Sequence, residues 1–154
     1  MRIAVLADTH VSMLECLPKK IVDALSTVDL MIHAGDFTDV QLFKELKQLI
    51  EVKAVQGNMD SRELKTVLPV KEIVEIGNKR IGITHGSGAP WGIEKRVRKV
   101  FESDRIDIIV YGHSHRFQNK VISDILFFNP GKATDSFGII TIDGEAKREI
   151  ISSR

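Results

Sequence analysis

Cysteine is almost absent. Cys16 is the only one among 154 residues, so no disulfide can form within the chain. That excludes a disulfide-stapled secreted scaffold and suits a reducing cytoplasm, where the chain is expected to reside. Long apolar runs are missing too. The N-terminal run after Met1-Arg2 is broken at Asp8, too short for a signal-peptide core or a membrane span. No membrane partner is expected. Charge of one sign is also lacking: Lys+Arg number 22, Asp+Glu 21, and the net charge is +1. Such balance leaves no global electrostatic footprint for long nucleic acid. No repeat, no low-complexity tract and no linker rich in Pro, Gly or Ser divides the sequence, and its length fits one domain over residues 1–154.

What remains is a soluble chain with 43% hydrophobic residues, enough for a real core. Four apolar runs rich in β-branched residues stand out: 3–7, 30–34, 52–56 and 106–111. They are nearly continuous rather than alternating, as expected for strands covered on both faces. Helical periodicity falls between them. Pro18 suits a first helical turn, and Ile21, Val22, Leu25 and Val28 follow at helical spacing. Leu42, Phe43, Leu46, Leu49 and Ile50 repeat the pattern, as do Ile93, Val97, Val100 and Phe101. The alternation predicts βαβ units and a parallel sheet. The second half reads as short strands over 70–76, 80–84, 120–122, 125–128, 137–142 and 147–151. Gly77-Asn78, Ser123-Asp124 and Asp143-Gly144 mark their turns. The fold class is therefore α/β: two packed sheets, partly parallel and partly antiparallel, with helices outside.

Polar clusters follow the apolar runs: Asp8-Thr9-His10, Gly35-Asp36, Gly57-Asn58, Thr84-His85-Gly86 and Gly112-His113-Ser114-His115. In open α/β sheets, ligands bind beyond the carboxyl ends of the strands. If these strands are neighbours, the clusters converge on one rim. Two carboxylates, one amide and four imidazoles form an N/O donor set without thiolate, suited to Mn, Fe, Zn, Ni or Co. Each fragment alone is weak, because D-x-H, G-D and G-N are common turn sequences. Five such fragments in this order at five strand ends point to a metal site.

In order and spacing these fragments resemble the calcineurin-like metallophosphoesterase superfamily. The likeness spans residues 1–131 and reaches Asn129-Pro130-Gly131, as in its small bacterial and archaeal phosphodiesterase branch. The resemblance implies a sandwich of two mixed β-sheets flanked by helices. It implies two divalent metal ions, manganese first, with nickel, iron, zinc or cobalt as alternatives. Asp8, His10 and His115 would hold one ion, Asn58, His85 and His113 the other, and Asp36 would bridge them. Asn58 and His85 are also the expected catalytic residues. The chemistry implied is hydrolysis of phosphate diesters by a metal-bridging hydroxide. A small phosphodiester or nucleotide-like substrate is expected. Competing functions are a protein-interaction scaffold like the retromer subunit of this branch, a phosphomonoesterase, or a nuclease. The oligomeric state is not encoded legibly, and a homodimer stays open.

One departure stands out. Many members carry His after the G-N asparagine, whereas this chain has Met59, and a thioether cannot donate a proton. Asp39 keeps the position of that histidine's usual partner. His33 is read either as an orienting residue or as packed polar filler. Asp60, Arg62, Arg116 and Lys132 are expected in solvent, as is the Lys95, Arg96, Arg98, Lys99 run. Trp91 is expected to wall the cleft or to anchor the third helix. Cys16 has no assigned role.

Overall fold

The computed structural model describes residues 1–154 and contains two five-stranded sheets. The first sheet has the order β10-β9-β1-β2-β3. Its strands are β1 (Arg2–Leu6), β2 (Leu30–His33), β3 (Val52–Ala54), β9 (Ser136–Asp143) and β10 (Glu145–Ser152). β1, β2 and β3 run parallel, with Ile3 opposite Leu30 and Met31 opposite Val52. β9 joins β1 antiparallel, and β10 follows through the Asp143-Gly144 turn. The second sheet has the order β4-β5-β6-β8-β7. It holds β4 (Lys71–Ile76), β5 (Lys79–Thr84), β6 (Ile108–Val110), β7 (Gln118–Ile122) and β8 (Ile125–Asn129). β5, β6 and β8 are parallel; β4 and β7 are antiparallel edges.

Burial explains why the strand sequences do not alternate. Ile3, Val5 and Ala7 face Ile81, Ile83, Ile108, Val110 and Phe128 in a core between the sheets. Their neighbours Ala4 and Leu6 point the other way, into a second core. That core is closed by Ile21 and Leu25 of α1 (Lys19–Leu25), Leu42 and Leu46 of α2 (Val40–Leu49), and Leu64 of α3 (Arg62–Val67). On the outer face of the second sheet, α4 (Ile93–Val100) packs Ile93 and Val97, with Phe101 beyond its end, against Ile109, Tyr111 and Phe127. Each fully buried Leu or Ile contributes roughly 1.5–3 kcal/mol. Both faces of the central strands are therefore apolar by necessity.

Two details depart from the sequence expectations. A short 3-10 turn at Leu14–Cys16 precedes α1. α3 is present although no periodic apolar pattern marks it, since only Leu64 is buried. Its signal is the cap: Ser61 Oγ accepts the Leu64 N–H at 3.3 Å. Asp39 is likewise an N-cap, accepting the Gln41 N–H at 2.8 Å at the start of α2. No helix is long and apolar enough to cross a membrane.

Candidate metal centre

The parallel strands of both sheets end on one rim, and the loops beyond them are tied together by backbone hydrogen bonds. Asp8 N–H donates to Gly35 O at 3.0 Å, His10 N–H to Asp36 O at 3.2 Å, and Gly112 N–H to His85 O at 3.1 Å. Asn129, fully buried, donates through Nδ2 to Gly112 O and Ser114 Oγ, and its Oδ1 accepts the Gly131 N–H. It joins the loop after β8 to the histidine loop after β6.

The seven candidate residues meet in this place. Asp8 and Asp36 lie at the bottom, with side chains 0% and 3% exposed; His85 is 4% exposed, His10 23% and His115 48%. On one side, His10 Nε2 and His115 Nε2 stand 3.4 Å apart, and His115 Nε2 is 3.4 Å from Asp8 Oδ1. On the other, Asn58 Oδ1 is 3.1 Å from both His85 Nε2 and His113 Nδ1. Asp36 Oδ2 sits between the sides, 3.3 Å from His85 Nε2 and 4.0 Å from His10 Nε2.

The far ring nitrogens set the direction of the lone pairs. His85 Nδ1 is 2.7 Å from Ala34 O, and His113 Nε2 is 2.9 Å from Gly88 O. A carbonyl can only accept, so these nitrogens carry the protons; in the neutral rings the opposite nitrogens turn lone pairs toward Asp36 and Asn58, whereas a protonated His85 donates through Nε2 to Asp36. Lone pairs facing carboxylate and amide oxygens repel one another. A cation is the group that reconciles them, so the residues fit divalent ions of the borderline class.

Burial and the neighbouring charges also set the protonation of these groups. Burial, reinforced by the nearby Asp36 carboxylate, raises the Asp8 pKa to about 7, against the opposing pull of His85, the His113 N–H and Lys132. Burial lowers His10 and His115, keeping their imidazoles neutral, and Lys132 adds to this in both. Burial alone would raise Asp36, but the hydrogen bond and charge of His85, the Met59 N–H and His10 together hold it below the ordinary range. Burial opposes charge on His85, yet Asp36 and Asp8 outweigh it and raise its pKa.

The backbone is bent to achieve this. Asp8, His10, Asp36, His113 and His115 all have positive φ, between 50° and 67°. Left-handed geometry costs an L residue roughly 1–2 kcal/mol, less for Asp than for most. Such strain persists where surrounding structure enforces it, and it clusters at functional sites. Gly57 is needed because a Cβ there would lie 2.1 Å from Asp36 Oδ1.

Several residues expected in solvent have other positions. Asp60 is 5% exposed. Its carboxylate accepts the Asp36 N–H at 3.2 Å, the Gly57 N–H at 2.7 Å and the Thr38 N–H at 2.8 Å. It is the post that shapes the Gly35–Thr38 turn. The missed signal was its position, three residues after Gly57, where an acidic side chain can fold back on the turn. Arg96 is not a solvated cation but donates to Ser87 O at 2.7 Å and Trp91 O at 3.2 Å, and also to Ala89 O. Arg98 donates to Phe101 O. Lys132 is half-buried, while Arg62 and Arg116 are exposed. His33 is fully buried, stacked on Phe37 with centroids 3.5 Å apart; its Nδ1 accepts the Gly35 N–H and its Nε2 lies 3.3 Å from Thr9 Oγ1. It braces the site from below. Trp91 is 79% exposed and anchors no helix.

The calcineurin-like phosphoesterase superfamily domain matches residues 1–143. The chain belongs to that superfamily. It is 40% identical over 136 residues to a probable metallophosphoesterase of Methanocaldococcus jannaschii, covering 87% of this chain and 69% of the relative. A phosphodiesterase of the same organism is 27% identical over 173 residues, covering 98% and 99%. Among solved structures, Vps29 of Entamoeba histolytica complexed with zinc superposes with a TM-score of 0.78 at 26% identity, covering all of both chains. The superfamily is metal-dependent, and the two donor groups Asp8–His10–His115 and Asp8–Asp36–His85 are candidate ligand sets in this member. The sandwich expected from the resemblance is the observed architecture.

Proposed function

We propose that this chain is a metal-dependent phosphodiesterase acting on small phosphate diesters. The observation that carries the proposal is the position of Asp36, whose Oδ2 lies within reach of His85 on one side and His10 on the other. In this proposal Asp8, His10 and His115 hold one ion, Asn58, His85 and His113 a second, and Asp36 both. Divalent ions held there would supply Lewis-acid charge for the phosphoryl oxygens and activate the attacking water.

The residues themselves do the positioning. The His113 N–H donates to both Asp8 oxygens, at 3.3 and 3.1 Å, and fixes the carboxylate plane. The Met59 N–H holds Asp36 Oδ1 at 2.8 Å, leaving Oδ2 free to face both sides. Lys65 Nζ donates to the Asn58 backbone carbonyl at 2.8 Å and steadies that turn. The Asn58 side chain is exposed at the mouth, where its amide N–H can meet a phosphoryl oxygen. The Met59 side chain is 60% exposed and offers no proton to a departing alkoxide. Leaving groups of low pKa are therefore preferred.

Similarity to a phosphodiesterase supports diesters over monoesters. Similarity to Vps29 supports a second reading, a protein-binding scaffold on the same fold. The complete donor set favours catalysis. With manganese, the purified protein should hydrolyse bis-p-nitrophenyl phosphate, and Asp36→Ala and His85→Ala should each abolish turnover. Bound metal with no hydrolysis of any mono- or diester would overturn the enzyme reading in favour of the scaffold.

A further inference from the structure

Beside the histidine loop lies a separate concavity of about 250 Å³. Trp91, Glu94, Tyr111, Ser114 and Arg116 are among the residues that line it. Ser114 stands between His113 and His115, and Gly88 O of the Trp91 loop lies 2.9 Å from His113 Nε2, so the concavity neighbours the candidate metal centre.

Two side chains of this concavity, those of Trp91 and Arg116, have no role in the fold. Trp91 is 79% exposed, and its indole N–H has no hydrogen-bond partner. Burying an indole is strongly favourable, and an exposed, rigidly presented one is a ready stacking surface. Its loop is indeed held: Arg96 binds three carbonyls of the Ser87–Trp91 segment, and Gly88 O lies against His113 Nε2. Arg116 is exposed and its guanidinium makes no ion pair or hydrogen bond. Glu94 and Ser114 add a carboxylate and a hydroxyl at the edges. The volume is below the range of about 300–1,000 Å³ that encloses drug-sized ligands, so it suits one ring system. A flat ring with polar edges, one residue away from a phosphorus site, describes a nucleobase better than a plain aryl or alkyl arm.

We propose that this concavity is a base subsite, in which Trp91 stacks the nucleobase of a nucleotide-type phosphodiester and Arg116 faces its phosphate side. The proposal rests on the phosphodiesterase activity proposed above. Stacking on an aromatic side chain is sequence-tolerant, so the subsite accepts any base.

Thymidine 5′-p-nitrophenyl phosphate and methyl p-nitrophenyl phosphate share a leaving group, and only the first carries a nucleoside. Trp91→Ala should raise the KM ratio of the first to the second by about tenfold, the typical effect of losing one base–aromatic stack. Trp91→Phe should restore most of it. An unchanged ratio overturns the subsite. Trp91 is the only tryptophan, so intrinsic fluorescence reports on it alone. Adenosine monophosphate should quench it saturably, and ribose 5-phosphate should not. Diester hydrolysis without such quenching overturns the subsite and spares the enzyme reading. Quenching by the nucleotide without hydrolysis of any ester sustains the subsite and overturns the enzyme reading.

Discussion

Removing the Asp60 carboxylate should be among the most damaging substitutions near the site, although Asp60 is not itself one of the candidate ligands. Its two oxygens accept three backbone N–H groups, from Asp36, Thr38 and Gly57. Asp36 and Thr38 have φ of 61° and 77°, so the carboxylate holds a strained turn closed. A hydrogen bond to a charged group contributes about 1.5–3 kcal/mol, and an orphaned buried donor costs about 1–3 kcal/mol. The three bonds share one side chain and do not add fully. Asp60→Ala should therefore cost about 4–6 kcal/mol in the metal-free protein. For a chain of this length that is a fall in Tm of about 8–24 °C. Asp60→Asn keeps one oxygen and turns an amide toward the donors of the other, so about half the loss is expected. Circular dichroism during thermal and urea unfolding measures both. Because Asp36 loses its backbone support, manganese affinity should also fall by about 10–100-fold, as for other groups that orient a ligand. An Asp60→Ala protein within about 1 kcal/mol of the parent, with unaltered metal affinity, would refute this reasoning.

Gly57→Ala should cut ester hydrolysis by about 100-fold, the typical cost of misplacing a catalytic group by an ångström, since its Cβ would fall 2.1 Å from Asp36 Oδ1 and 2.4 Å from Asp36 N; steady-state rates within threefold of the parent would contradict the crowding. His33 is fully buried, and burial lowers its pKa from 6.5 to about 3. Protonation then favours the unfolded chain, so stability is flat above about pH 6.5 and falls as pH drops toward 3. Between pH 7 and 5 the metal-free protein should lose about 2 kcal/mol more than a His33→Gln variant, measured by urea unfolding; parallel losses in both would refute it. Met59→His should raise the rate selectively on diesters with poor leaving groups, by about tenfold or more as a positioned proton donor does; equal changes on good and poor leaving groups would count against the missing-acid explanation.

The sandwich was readable because both faces of β1, β2, β6 and β8 are buried, which makes their sequences continuous apolar runs. The site was readable because each donor directly follows such a run. The pairing of strands β6 and β8, with β7 at the edge, was not readable, since short runs carry no register information beyond their turns. α3 escaped because it buries a single residue and depends on its Ser61 cap. Asp60 and Arg96 were misjudged for one reason: composition shows that a side chain is charged, but not that backbone groups of a distant or folded-back loop will claim it. The left-handed geometry at Asp8, His10, Asp36, His113 and His115 falls on residue types that tolerate it better than most, but those types alone do not mark which positions adopt it.

The central claim is that Asp36 joins two ion sites in one centre. Electron paramagnetic resonance of the manganese-loaded protein, with metal content measured on the same sample, tests it directly. Two ions per chain with an exchange-coupled signal are expected, and Asp36→Ala should abolish the coupling. One ion per chain, or two ions with uncoupled signals, would contradict the account.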